Sequence, residues 1–75
     1  MKKKVTYYEV EWTDKDGKVH FHYYVPSFTP LMATSFYIKC ENPKQDATDF
    51  VNHLIETGLF PFRMDEQETA VKLSP

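Results

Sequence analysis

Two alternating runs flank the tetrapeptide Asp14-Lys15-Asp16-Gly17, and their phases constrain the fold more than any other feature of the chain. In Val5 to Trp12 the large residues Tyr8, Val10 and Trp12 fall on even positions; in Val19 to Val25, Val19, Phe21, Tyr23 and Val25 fall on odd ones. Period-two runs on either side of an Asp-Gly signal predict a β-hairpin. If all the large residues share one face, even positions of the first run must oppose odd positions of the second. A two-residue turn at Asp16-Gly17 does this, setting Trp12 opposite Phe21, Val10 opposite Tyr23 and Tyr8 opposite Val25. A four-residue loop over Asp14 to Gly17 keeps the same separation of faces. A three-residue loop would place Trp12 opposite His20 and mix them, and is disfavoured on that ground.

A chain of 75 residues is expected to form one domain, near the size at which a single core is only marginally stabilising. The single cysteine, Cys40, has no intrachain partner and no basic-plus-apolar leader opens the sequence, so the expected compartment is a reducing cytoplasm. No apolar run approaches the roughly 20 residues that span a bilayer. A formal charge of −2 and a lone arginine, Arg63, argue against a general nucleic-acid binder. Lys2, Lys3 and Lys4 read as a flexible, solvated basic N-terminus. The compositional excess is aromatic: six Phe, five Tyr and one Trp must supply most of a small core and leave rings over for binding.

Beyond the hairpin, Pro26-Ser27-Phe28-Thr29-Pro30 interrupts regular structure because proline removes donors and fixes φ. Alternation resumes over Thr34 to Glu41, predicting a third strand with Phe36, Ile38 and Cys40 on one side and Ser35, Tyr37 and Lys39 on the other. Asn42-Pro43-Lys44 reads as a turn, with Asp46 capping a helix that starts at Ala47. Ala47, Phe50, Val51, Leu54 and Ile55 recur at helical spacing as one apolar stripe, and Gly58 with Leu59 fits a Schellman ending near Thr57. Leu59 to Met64 reads as an apolar connection, Asp65 to Glu68 as an acidic loop and Thr69 to Leu73 as a short fourth strand. The expected fold is therefore a small two-layer α+β domain over residues 1–75. It has an antiparallel sheet of three to four strands in the order β-β-β-α-β, with one amphipathic helix on one face.

Several chemistries can be weighed on residue types alone. His20 and His22 project from one side of their strand. With Glu11 opposite His22 in the favoured register, they begin a metal site that lacks a fourth ligand. Cys40 reads as a small core residue rather than a nucleophile. Gly17 and Gly58 serve a turn and a helix end, so there is no phosphate-binding loop, and no cofactor is expected. Tyr7, Tyr24 and Tyr37 form a candidate platform for single-stranded nucleic acid, with Lys2, Lys3 and Lys4 as its cations, but Glu9 and Glu11 would repel phosphate. Phe28, Leu31, Met32, Phe60, Phe62 and Met64 lie in proline-fixed connections, where large apolar side chains either cover the core or contact another molecule. Together these features lead to the expectation of a non-enzymatic interaction protein. It would be a regulator, adaptor or inhibitor, of cellular, phage or mobile-element origin, that binds a larger protein or a second copy of itself.

Overall fold

The computed structural model describes residues 2–29, 37–59 and 61–72. Its elements are β1 (Lys2–Thr13), β2 (Val19–Pro26), β3 (Tyr37–Cys40), α1 (Pro43–Thr57) and β4 (Phe62–Lys72). The sheet runs β3-β2-β1-β4, with the helix packed on one face. The β-β-β-α-β order and the two layers agree with the sequence reading. The sheet is mixed rather than purely antiparallel: β1 pairs antiparallel with both β2 and β4, whereas β2 and β3 run parallel. Residues 27–36 connect the two parallel strands in sequence.

The hairpin adopts the register that alternation disfavours. Tyr8 lies opposite Tyr24, Val10 opposite His22 and Trp12 opposite His20. Turn chemistry accounts for this. The Asp14 carboxylate oxygen Oδ1 accepts from the backbone N–H groups of Asp16 (2.8 Å) and Lys18 (2.9 Å), and the Asp14 N–H donates to Lys18 O at 2.8 Å. Gly17 sits at φ 85°, a left-handed conformation that glycine adopts without a Cβ penalty. Lys15, Asp16 and Gly17 thus form a three-residue loop, a common hairpin connection with Gly at its left-handed position. The one-residue shift turns Val19, Phe21 and Tyr23 away from the helix and brings His20, His22 and Tyr24 to it.

The helix starts earlier than the sequence reading places it. Asn42, not Asp46, is the N-cap: its side chain accepts from Gln45 N–H at 3.2 Å, and Pro43 occupies the first turn, where its missing donor has no cost. The C-terminus is as expected. Gly58 at φ 71° donates to Ile55 O (3.2 Å) and Leu59 to Leu54 O (3.0 Å), the paired bonds of a Schellman motif. The buried core joins Tyr8, Val10 and Tyr24 of the sheet to Ala47 and Leu54 of the helix, with Phe50, Val51 and Leu59 packed around them. Ile55, read as part of the stripe, is 52% exposed. No described helix is long and apolar enough to cross a membrane.

β4 starts at Phe62, so Phe62 to Met64 of the expected connection and Asp65 to Glu68 of the expected acidic loop are strand, paired along β1 from Trp12↔Phe62 to Lys2↔Lys72. The Tyr8 hydroxyl donates to Glu66 at 2.8 Å and Lys4 pairs with Glu68 at 3.1 Å, which gives the acidic segment partners in the ladder. Lys2 to Lys4, expected to be flexible, are part of β1.

Leu54→Ala should cost about 2–5 kcal/mol in urea unfolding, as for a fully buried leucine, and Ile55→Ala no more than about 1 kcal/mol. Equal losses would contradict the observed rotation of the helix.

Candidate interaction surface

The sheet presents two faces of different chemistry, both fixed by the β1–β2 register. On the helix side an aromatic cluster closes one end of the core. Trp12 stacks on His20 at 4.4 Å between ring centroids and meets Phe50 edge-on at 5.6 Å, while His22 lies 4.6 Å from Phe50. Trp12 Nε1–H donates to His22 Nε2 at 3.3 Å, so His22 accepts there as a neutral imidazole, and its Nδ1 lies 3.4 Å from the Tyr24 hydroxyl. Burial, and secondarily the nearby His20, pull the His22 pKa below its ordinary value. His20 instead reaches Asp14 at 2.7 Å, and that bond is the main cause holding the Asp14 carboxyl below its usual range. The histidines thus belong to the packing of the hairpin end.

The same register separates the residues grouped as a metal site. Glu11 lies opposite Phe21 on the other face, where it accepts from Arg63 at 3.0 Å, while His20 and His22 point to the helix side. No group of three metal-ligating side chains occurs among the described residues. Cys40 packs against the core, and burial, with Asp46 nearby, pushes its thiol up to about 11, which keeps it protonated at neutral pH.

The opposite face carries Val19, Phe21, Tyr23 and Val25 from β2, flanked by Val5 and Tyr7 of β1 and Tyr37 of β3; it is open at the hairpin end, whereas Val5 and Val25 at the other end are each 2% exposed. Phe21 is 41% and Val19 53% exposed. Tyr7 and Tyr23 lie 6.3 Å apart and Tyr23 and Tyr37 5.0 Å, a continuous ladder across three strands. The expected platform of Tyr7, Tyr24 and Tyr37 is corrected at its middle member: Tyr24 is buried on the helix side, its phenol pushed up to about 12 chiefly by desolvation, and Tyr23 takes its place. Beside the ladder runs a charged row. Glu9 lies between Tyr23 and Asp65, Glu11 between Phe21 and Arg63, and Arg63 bridges Glu11 (3.0 Å) and Asp65 (2.8 Å). Tyr23 hydrogen-bonds Glu9, and this bond is the main cause raising its phenol pKa. Three carboxylates against the two described cations of this face, Arg63 and Lys39, oppose a phosphate backbone. Lys4, one of the cations assigned to that platform, is paired with Glu68.

Of the apolar residues assigned to partner contact, Leu31, Met32 and Phe60 lie outside the described residues. Phe62 and Met64 pack against the core from β4, and Phe28 is 51% exposed just after β2. Phe21 and Tyr23 were missed because the alternation pattern placed them inside. The signal that locates them is local: an Asp positioned to accept from the loop backbone, followed by Gly where a left-handed residue is needed. No protein-family model matches the chain, and no curated protein or solved structure shows significant similarity to it.

A histidine held neutral in the fold gives stability that is full above its unfolded pKa, near 6.5, and is lost as pH falls from there through the lower folded value. Urea unfolding followed by the fluorescence of Trp12 should therefore show stability falling as pH drops below about 6.5. His22→Gln, which keeps an acceptor for the Trp12 N–H without titrating, should flatten that fall. A wild-type profile that stays level as pH drops below about 6.5 would contradict the neutral, half-buried His22.

Proposed function

We propose that this chain is a non-enzymatic protein-binding module, acting in a reducing compartment, that meets a larger protein through the open face of its sheet. The observation that carries the reading is Phe21. It is a phenylalanine on a central strand with two-fifths of its surface exposed, set between exposed Val19 and the tyrosine ladder. Among the described residues the only helix lies on the other side of the sheet. Covering a large apolar side chain is worth about 1.5–3 kcal/mol, and aromatic residues concentrate at the centres of protein interfaces. The rim has the polar character such an interface needs, supplied by Glu9, Glu11, Arg63 and Asp65. This moves the interaction surface from the proline-fixed connections to the sheet, with Phe28 the one residue of that earlier group that is both described and largely exposed.

The regulator, adaptor or inhibitor role follows from the same features. A module of this size with one presented face acts by occupying a surface on its partner. Its rigid strands hold the contact residues at fixed spacing, which lowers the ordering cost of association.

Phe21→Ser should abolish retention of a protein partner from the native host's lysate, with folding stability changed by no more than about 1 kcal/mol because the ring is half in solvent. Ile55→Ser, an equally drastic change on the exposed side of the helix, should leave capture intact. Equal capture by wild type and Phe21→Ser would contradict the assignment of the surface.

A further inference from the structure

We propose that the partner segment lying over the open face presents an arginine, whose guanidinium stacks on Tyr23 and Tyr7 and donates to the carboxylate of Glu9. This rests on the reading of the open face as the binding surface and specifies the chemistry of what it binds. Three features of the face support it.

First, charge. Glu9, Glu11 and Asp65 share the face with Arg63, which is already committed to Glu11 and Asp65. Glu9 lies directly opposite Tyr23 and, among the described residues, makes no salt bridge, so its carboxylate stands beside the aromatic ladder without a cation. A partner of complementary sign is cationic at this point.

Second, shape. Glu9 and Tyr23 are directly opposed across the β1–β2 ladder, and Tyr7 lies two residues along β1 on the same side with its ring 6.3 Å from that of Tyr23. A carboxylate next to aromatic rings suits a planar cation that stacks with one surface and hydrogen-bonds with its edge. Guanidinium does both, whereas an ammonium is a compact, strongly hydrated point charge. The carboxylate also has acceptor capacity left beyond the tyrosine hydroxyl.

Third, the sheet already uses this chemistry internally. Arg63 spans Glu11 and Asp65 on the same face at 2.8–3.0 Å. A second copy is a poorer occupant. Among the described side chains of this face, the cations it would bring are Arg63, held by two carboxylates, and Lys39, which lacks the planar fork.

The test is selection of a random displayed peptide library against the immobilised full chain, followed by fluorescence anisotropy on the selected peptides. The expected result is enrichment of arginine beside apolar residues. Glu9→Gln in the protein and Arg→Lys in the peptide should each weaken binding about tenfold, and Phe21→Ser should remove it. Circular dichroism would confirm that both protein variants remain folded. Peptides without arginine whose binding responds to Phe21→Ser but not to Glu9→Gln would overturn the arginine seat and leave the open face standing as the binding surface. Peptides indifferent to Phe21→Ser would overturn both, and a library that yields no binder would overturn the arginine seat.

Discussion

The carboxylate of Asp14 sits at the origin of the structure, because the bonds it accepts from the loop backbone, together with Gly17 in the left-handed region, set the length of the hairpin loop. A strand's side chains alternate between faces, so a loop one residue longer or shorter exchanges the entire content of the two faces of β2. With the observed loop, His20, His22 and Tyr24 meet the helix and Val19, Phe21 and Tyr23 meet the other side. The composition of the core, the packing of the histidines against Trp12 and the half-buried aromatic ladder beside exposed Phe21 all follow from that single choice. His20 strengthens it, since its ring binds the second oxygen of the same carboxylate at 2.7 Å.

The helix side of the hairpin end takes two half-buried imidazoles in place of Phe21 and Tyr23, and their rings pack there as aromatic plates. Trp12 supplies both the stacking surface for His20 and the donor for His22, and Phe50 covers His22 from the helix. The neutral form of His22 is part of this arrangement, which ties the hairpin end to pH in a way an all-hydrocarbon core would not be. Tyrosine and carboxylate recur as a pair on each side of β1: Tyr8 with Glu66 on the helix side, Tyr23 with Glu9 on the open side. The first ties β4 to the centre of the sheet. The second leaves a carboxylate beside half-buried rings, the pairing on which the proposed arginine seat rests.

Much of the architecture was legible in residue pattern. The helical spacing of Ala47, Phe50, Val51 and Leu54 and the Gly58-Leu59 ending identify α1 and its C-terminus, because amphipathic periodicity and a left-handed glycine are local signals. Strand order along the chain was legible for the same reason. What pattern could not supply was any choice between competing local rules. Asn42-Pro43 serves equally as a turn and as an N-cap followed by its first-turn proline. Asp65 to Glu68 reads as loop until the partners Arg63, Tyr8 and Lys4 are known. The hairpin register set face alternation against turn chemistry, and turn chemistry won. The candidate surface shifted with it, from Tyr24 to Tyr23 and from the connections to the sheet. The parallel pairing of β2 and β3 depends on the path between them, which residue periodicity does not encode.

The functional reading depends on β2 facing as it does, so the most direct measurement is of the hairpin register in solution, from inter-strand nuclear Overhauser contacts between backbone protons of β1 and β2. The account predicts contacts that set Tyr8 against Tyr24, Val10 against His22 and Trp12 against His20. Contacts setting Val10 against Tyr23 and Trp12 against Phe21 would contradict it, returning the aromatic row to the core and removing the open binding face.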